Sequence, residues 1–194
     1  IQLFFYGVSL NWILASVSIL LVYIDAQNRQ ISTDPLTSLN NRRELSKYLQ
    51  KEVNEHDQAK NGQLALVMMD VDGFKQINDT YGHFYGDGVL ISVSEILKSS
   101  CKNTDAVLAR YGGDEFIICL PGVDNAAAHR IANRLRVAIM SERFPLEDGL
   151  INLTCSFGVQ SVEKNDFQLS ARMLLHRADE KLYQAKHAGR NAVV

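Results

Sequence analysis

AVLARYGGDEFIICL, residues 106–120, is the stretch of sequence that decides the fold. Residues 106–111 and 115–120 are short apolar runs on either side of a glycine pair, and this pattern predicts two β-strands. The pair Gly112-Gly113 predicts the hairpin between them, because a two-residue type I′ turn requires a positive φ at both central positions. We therefore expect an antiparallel strand pair at this point of the chain.

The apolar patterns on both sides of the hairpin alternate between strand and helix. Further strands are predicted at residues 64–69, 151–162 (one strand or two short ones) and 192–194, and helices at residues 40–56, 89–97, 126–140 and 171–187. Without the two ends, the order is strand, helix, strand, strand, helix, strand. This order predicts an α+β, ferredoxin-like (β-α-β-β-α-β) domain with a palm-like, antiparallel-containing sheet and helices on one face, preceded by an N-terminal helix.

Two acids, Asp114 and Glu115, begin the second strand of the hairpin. In the predicted sheet the first and third strands are antiparallel neighbours, so Asp70 at the end of the first should lie beside Asp114, with Asp72 two residues further on. Like charges this close are unfavourable unless a proton or a cation lies between them, and oxygen ligands of this kind suit Mg²⁺. The arrangement predicts metal-assisted phosphoryl or nucleotidyl transfer. The alternative is that the acids lie on loops by chance.

The composition excludes several classes of protein. Apolar residues make up 46% of the 194 residues, which is enough for a packed core. The formal net charge of −2 argues against a nucleic-acid-binding protein, because a large phosphate footprint requires an excess of positive charge. The 3 cysteines lack C-x-x-C spacing and are odd in number, which argues against a zinc ribbon or a disulfide scaffold and fits a reducing compartment.

The N-terminal run LFFYGVSLNWILASVSILLVYI, residues 3–24, contains no charged residue. As a helix it would be roughly 33 Å long, slightly more than the ~30 Å hydrocarbon core of a bilayer. No Lys or Arg precedes the run, unlike in a signal peptide, and the basic residues that follow it place the C-terminal side in the cytoplasm. We expect residues 1–30 to form a transmembrane or signalling helix. The alternative is a buried or coiled-coil helix of a larger protein.

The segment RYGGDEF, residues 110–116, resembles the signature of the GGDEF family, the diguanylate cyclases. Other segments resemble this family's motifs in the same order: DPLTSLNNRR (34–43), DVDGFKQIND (70–79), YGHFYGDG (81–88) and ADEKLYQAKHAGRN (178–191). The resemblance covers residues 34–194, which we expect to be one GGDEF domain. A sensor region would lie upstream of this fragment.

The resemblance implies roles at the metal. Asp70, the backbone carbonyl of Val71 and Asp114 would hold two Mg²⁺ ions, for which Mn²⁺ can substitute. Glu115 would assist at the metal or polarise the attacking 3′-hydroxyl, so that Asp70, Asp114 and Glu115 are the implied catalytic residues. The resemblance gives His83 a structural role.

The resemblance also implies which residues bind the substrate. Asn78 and Asp87 would bind guanine, and Asp87 favours GTP over ATP because its carboxylate accepts from the N1–H and 2-amino donors that adenine lacks as a pair. The alternatives are a helix-end cap for Asn78 and an N-cap before Val89 for Asp87. The triphosphate would be bound by Gly73, Phe74, Lys75, Lys186 and Arg190. For Lys186 and Arg190 the alternative is an ordinary solvated helix face.

The implied reaction condenses two GTP molecules into cyclic di-GMP and two pyrophosphates, each 3′-hydroxyl attacking the α-phosphate of the other GTP. One domain holds one GTP, so the resemblance implies a homodimer as the catalytic unit, attached to the bacterial inner membrane through residues 3–24 with the GGDEF domain in the cytoplasm. The first alternative is a non-catalytic module that binds GTP or a partner. The second is a cyclase that makes cyclic mononucleotides on a similar sheet.

One motif departs from the family pattern. Many members carry an inhibitory product site, Arg-x-x-Asp, with five residues between its Asp and the first glycine of the signature, here Gly112. Here those two positions are Asn103 and Ala106, and the nearest pair, Lys102 and Asp105, is out of register by one residue. Lysine does not replace the bidentate guanidinium, so we expect weak or absent product inhibition through this site.

Overall fold

The computed structural model describes residues 11–24, 32–58, 63–146, 149–162 and 170–194. They belong to two compact units, Ile1–Ser32 and Thr33–Val194. The first unit contains helix α1, described over residues 11–24. The second contains β1 (Asn40–Asn41), α2 (Arg42–Gln58), β2 (Leu64–Val71), α3 (Phe74–Tyr81), α4 (His83–Cys101), β3 (Val107–Gly112), β4 (Glu115–Pro121), α5 (Asn125–Ser141), β5 (Phe144–Leu146), β6 (Gly149–Ile151), β7 (Cys155–Ser161) and α6 (Ala171–His187).

Helix α1 is apolar, and its large side chains, among them Trp12, Ile19 and Val22, are exposed. Within the described ranges, no helix is long and apolar enough to cross a membrane. Residues 3–10 and 25–30 of the predicted N-terminal segment lie outside the described residues. The membrane span therefore stays a prediction, as does the division of the chain into segments 1–30 and 34–194.

The central sheet has the strand order β1-β3-β4-β2-β7. Strand β1 pairs with β3 in parallel, and the remaining neighbours are antiparallel. The strands and helices β2, α4, β3, β4, α5 and β7 follow the predicted β-α-β-β-α-β order, so the α+β, ferredoxin-like fold is confirmed. The first and third strands of that order, β2 and β4, are antiparallel neighbours as expected.

Helices cover both faces of the sheet. On one face α4 and α5 pack on alternate strand residues such as Val67, Met69 and Phe116. On the other face α2 and α6 pack on the residues between them, such as Leu66 and Met68. The expectation of helices on one face is wrong, because β2 is buried at every position and a strand without a polar face needs cover on both sides.

The β3–β4 turn lies one residue later than predicted. Gly112 is the last residue of β3, and a bulge lies between Arg110 and Gly112, so the connection consists of Gly113 and Asp114. A bulge adds one residue to its strand, which shifts the turn along the chain. Gly113 has a φ of 53°, so the positive φ falls on the first turn position, as in type II′ rather than type I′. As a result Asp114 is held in the turn itself.

Two further segments differ in detail from the prediction. Helix α4 begins at His83, six residues before the predicted start, and a short helix, α3, precedes it. Residues 192–194 pair with β7 in parallel through Val193, and the Phe157 amide donates to the Ala192 carbonyl at 2.9 Å. The C-terminal segment is thereby joined to the sheet edge beside β7.

Gly158 in β7 allows helix α6 to lie directly on the sheet. A Cβ at this position would be 2.2 Å from the Ala178 carbonyl oxygen and 2.3 Å from the Leu182 nitrogen. Both are backbone atoms and cannot rotate away. We expect Gly158→Ala to lower the free energy of unfolding by about 3 kcal/mol, measured by urea denaturation.

Gly88→Ala is the matched control, because a Cβ there meets nothing within 4 Å in the interior of α4. It should change the free energy of unfolding by no more than about 1 kcal/mol, and in the stabilising direction. Equal stability of the two variants would show that α6 does not depend on this close approach.

Candidate active site

The end of β2 and the start of β4 bring three acids to one edge of the sheet. Asp70 is directly opposite Glu115 in the antiparallel register. The Val71 amide donates to the Asp114 carbonyl at 3.3 Å, so the turn residue is tied to the end of β2. The sequence-based expectation that these acids converge matches the geometry, and it rests on two strands that the backbone holds in register.

The surroundings of Asp70 disfavour its ionised form. Burial above all, together with the charges of Asp114 and Glu115, raises the pKa of Asp70 to about 6 against the opposing hydrogen bond and charge of Lys186. The Lys186 ammonium lies 2.7 Å from Asp70 Oδ2. Burial also raises the pKa of Glu115 above its ordinary value. Three carboxyl groups with one close cation leave a negative site that attracts further positive charge.

The donor atoms at this edge are the kind that a hard divalent cation prefers. The candidate set contains the carboxylates of Asp70 and Asp114 and the backbone carbonyl of Val71, all oxygen donors. In the part of the chain that the structure describes, no three His, Cys, Asp or Glu side chains group closely enough to hold a metal ion by themselves. The proposed set uses two carboxylates and a carbonyl, which leaves coordination positions for substrate phosphates.

The residues predicted to bind the triphosphate come from two parts of the chain, the start of α3 and the end of α6. Gly73, with a φ of 71°, is the N-cap of α3, Phe74 is its first residue, and Lys75 is exposed. Amide groups at a helix N-terminus suit an anion. Lys186 lies in the last turn of α6 and is paired with Asp70, so the alternative of a solvated helix face is wrong for it.

Arg190 is not on the helix, because α6 ends at His187. It is exposed and has a φ of 65°, a left-handed conformation that is uncommon outside glycine. The observed helix end agrees with the helix predicted over residues 171–187, so the alternative of a helix face does not apply to Arg190. The position of Arg190 relative to Lys186 depends on the chain after the helix end.

The two residues predicted to bind guanine lie on consecutive helices. Asn78 is in α3 and Asp87 is in α4, and Gly82 between them is the N-cap of α4. The alternative of Asp87 as an N-cap is wrong, because α4 begins four residues earlier, at His83. Asp87 is exposed, which leaves its carboxylate open to a ligand. The alternative role for Asn78 is that its side chain caps the helix end. At the end of α3 the Gly82 amide instead donates to the backbone carbonyl of Asn78, at 2.9 Å.

Gly86 is a residue of this site that the sequence interpretation missed. A Cβ at Gly86 would be 1.9 Å from Asn78 Oδ1, so the Asn78 amide lies against the bare backbone of α4, one residue before Asp87. The absence of a side chain at Gly86 thus sets where Asn78 lies. The signal in the sequence was the place of Gly86 in the glycine-containing segment YGHFYGDG (81–88), just before the helix predicted from residue 89.

A second missed feature fixes the turn that carries Asp114. Arg110 Nε donates to the Gly113 carbonyl at 2.9 Å, and its Nη1 lies 3.2 Å from Asp34 Oδ1. Asp34 in turn accepts from the Thr37 amide at 2.9 Å, and its pKa is lowered because these hydrogen bonds outweigh its burial. The turn is thus held from the segment that precedes β1.

Asp72 does not face the acidic cluster. Its carboxylate accepts hydrogen bonds from the hydroxyls of Thr154 and Ser156, each at 2.7 Å. Asp72, the first residue after β2, is therefore tied to the start of β7 and the residue before it.

Comparison with known proteins gives the family. The profile described as "Diguanylate cyclase, GGDEF domain" matches residues 31–192. The chain belongs to the GGDEF family. It is 37% identical over 169 residues to the diguanylate cyclase DgcP of Pseudomonas aeruginosa and 44% identical over 131 residues to diguanylate cyclase A of Treponema denticola. Those matches cover 87% and 67% of this chain.

Solved structures agree with this assignment. The GGDEF domain of DgcB from Caulobacter crescentus, solved in complex with c-di-GMP, superposes with a TM-score of 0.78 at 30% identity, over 84% of this chain and 92% of that one. The chain spans only 24% of DgcP and 34% of diguanylate cyclase A. GGDEF cyclases generally bind GTP, act as dimers and depend on a divalent metal ion.

The ion pair between Lys186 and Asp70 predicts the direction in which the pKa of Asp70 moves in variants. Because the Lys186 hydrogen bond lowers this pKa, Lys186→Met should raise it above 6. Because the Asp114 charge raises it, Asp114→Asn should lower it below 6. Carboxyl carbon NMR of the protein in EDTA, titrated with pH, measures both shifts.

Lys75→Met is the control for lost positive charge and should leave the Asp70 pKa unchanged, because Lys75 is exposed on α3. Shifts in the same direction for Lys186→Met and Asp114→Asn would contradict the geometry of the site.

The contact between Gly86 and Asn78 predicts a binding defect without a stability defect. In Gly86→Ala the new methyl group displaces the Asn78 amide, the flexible end of a side chain, so the melting temperature should hardly change. Guanosine should bind roughly tenfold more weakly, the order expected for losing one hydrogen bond to a buried donor. Calorimetric titration measures the affinity. If Gly88→Ala weakens guanosine binding to the same degree, the loss is not specific to Asn78.

Proposed function

We propose that this chain is a diguanylate cyclase, which condenses two GTP molecules into cyclic di-GMP and two pyrophosphates. The observation that carries the proposal is the register that places Asp70 opposite Glu115 and ties Val71 to Asp114. It assembles an oxygen-rich, negative edge next to a helix N-terminus, a combination suited to nucleotidyl transfer. The relatives named as diguanylate cyclases support the same activity.

The proposed metal is Mg²⁺, with Mn²⁺ as a substitute, held by Asp70, the Val71 carbonyl and Asp114. When bound it would neutralise charge on the phosphates and on the attacking oxygen. The chain itself contributes position. The backbone of β2 and the Arg110 guanidinium hold Asp114 in its turn, and burial of Glu115 raises its pKa, which suits a group that exchanges a proton with the 3′-hydroxyl.

The proposed substrate contacts divide by chemistry. Asp87 would accept from the N1–H and 2-amino group of guanine, and Asn78 would contact the same base. The amides at Gly73 and Phe74, with Lys75, would contact the β- and γ-phosphates at the start of α3. Lys186 and Arg190 would bind the triphosphate from the other side, once Lys186 leaves Asp70 for the more negative substrate.

The proposed catalytic unit is a homodimer, because one domain binds one GTP and the reaction joins two. Each site must present its 3′-hydroxyl to the α-phosphate in the other, so the site is incomplete in a single copy. Activity per protein should therefore rise with protein concentration. No nucleic acid is required.

We also propose that residues 3–24 attach the protein to the bacterial inner membrane, with the GGDEF domain in the cytoplasm where GTP is available. The uncharged run and the exposed apolar side chains of α1 support this. A parallel helix pair in the dimer is the other use for the same surface.

The alternative function is a non-catalytic GGDEF module that binds GTP or a partner in a regulatory role. The intact signature, residues 110–116, and the assembled acids favour catalysis over it. A module of the alternative kind would bind GTP and release no pyrophosphate.

The proposed metal role of Asp114 predicts a variant that folds but does not react. Asp114→Asn should retain less than about a tenth of wild-type cyclic di-GMP synthesis, because one metal ligand loses its charge. In EDTA its free energy of unfolding should equal or exceed that of the wild type, since a repulsion with Asp70 is removed. Asp105→Asn, the same change at an exposed site, should leave synthesis intact. Full activity of Asp114→Asn would refute the metal assignment.

The proposed guanine contact predicts a loss of base selectivity. Asp87→Ser removes the acceptor for two guanine donors, and leaving such donors unpaired costs roughly 1–3 kcal/mol. Competition between GTP and ATP for binding should therefore shift toward ATP by about tenfold or more. Asp79→Ser, a matched change at an exposed acid of α3, should keep the wild-type ratio. An unchanged ratio in Asp87→Ser would assign base recognition elsewhere.

A further inference from the structure

The segment after α6 carries Arg190 in an unusual backbone conformation. Gly189, Arg190 and Asn191 have φ angles of 110°, 65° and 46°. Two consecutive non-glycine residues in the left-handed region are strained, and such strain persists only where the surroundings hold it.

Asp72 holds it from the end of β2. The Asn191 amide donates to Asp72 Oδ2 at 3.0 Å, and the Thr154 hydroxyl donates to the same oxygen at 2.7 Å. The Ser156 hydroxyl donates to Oδ1 at 2.7 Å. The carboxylate is thus fixed by two hydroxyls of the neighbouring chain and accepts the amide of the strained residue. Hydrogen bonds to an ionised carboxylate are stronger than neutral ones.

Arg136 of α5 holds the same residue from the other side. Its Nη1 donates to Asn191 Oδ1 at 2.9 Å. Beyond Asn191, residues 192–194 pair with β7. Asn191 is therefore fixed by its amide, its side chain and the chain that follows it, and Arg190 is the residue between this anchor and the end of α6.

The two acids of the segment Asp70-Val71-Asp72 hold the two ends of the stretch 186–191. Asp70 is paired with Lys186, and Asp72 with Asn191. In the proposed function Lys186 passes from Asp70 to a phosphate of the substrate. The hydrogen bond that Asp72 accepts from the Asn191 amide involves no group that changes partner. It therefore keeps Arg190 in place while Lys186 moves.

We propose that Asp72, through the hydrogen bond that it accepts from the Asn191 amide, is a positioning residue that holds Arg190 toward the triphosphate of the substrate. This inference rests on the proposed function, in which Arg190 binds phosphate. Asp72 itself contacts neither the substrate nor the reacting atoms.

The test compares two fragments of the substrate on the full chain in EDTA. Tripolyphosphate probes the phosphate subsite and guanosine the base subsite, both by calorimetry. Asp72→Asn replaces one carboxylate oxygen with an NH2 donor and removes the charge from the acceptor of the Asn191 N–H. It should weaken tripolyphosphate binding roughly tenfold and leave guanosine affinity unchanged. Asp79→Asn, an equal loss of negative charge at an exposed site, should not weaken tripolyphosphate binding.

Thr154→Val provides a second variant that keeps the charge. It removes the hydroxyl that donates to Asp72 Oδ2. It should also weaken tripolyphosphate binding, by a smaller factor than Asp72→Asn. If Asp72→Asn does not fold, this variant tests the proposal in its place. Equal loss of both ligands, or loss of neither, would overturn the proposal. If the wild type binds tripolyphosphate and makes no cyclic di-GMP, the cyclase assignment fails while the comparison between the two fragments still stands.

Discussion

A buried carboxylate at the end of the central strand is the constraint on which the rest of the site depends. Asp70 is 7% exposed and lies across from Glu115, and the turn residue Asp114 is tied to the next position of the same strand. Such a cluster is unfavourable alone, and Lys186 is the near cation that offsets it. In the proposed function, a substrate that brings both divalent cations and phosphates would satisfy both parts of this arrangement, because the acids would bind the cations and Lys186 would bind a phosphate.

The fold holds this cluster in place by backbone contacts more than by side-chain contacts. The sheet is covered on both faces, so β2 has no freedom to shift its register. Helix α6 lies on β7 at Gly158 without an intervening side chain, which fixes the distance from Lys186 to the acids. Two hydrogen bonds then fix the loops of the site. The one that Arg110 donates holds the β3–β4 turn, and the one that Asp72 accepts holds the chain after α6.

The sequence was sufficient to predict the strands and helices of the β-α-β-β-α-β unit and the meeting of Asp70 with Asp114, because apolar periodicity and the topology of that unit determine them. It was not sufficient for the turn position, since the bulge before Gly112 appears only in the pairing of β3 with β4. The direction of Asp72 and the position of Asn78 against Gly86 depend on contacts between segments distant in sequence or on different helices. The left-handed backbone at Arg190 and Asn191, which sets where Arg190 lies relative to Lys186, likewise had no signal in the sequence.

The central claim is that this acidic edge joins two GTP molecules across two copies of the domain. The most direct measurement is to incubate the purified protein with GTP and Mg²⁺ over a series of protein concentrations and to identify the products by mass spectrometry and pyrophosphate release. The account predicts cyclic di-GMP with two pyrophosphates per product molecule, formed at a rate per protein that rises with concentration. Bound GTP that remains unchanged at every concentration, or a cyclic mononucleotide as the product, would contradict it.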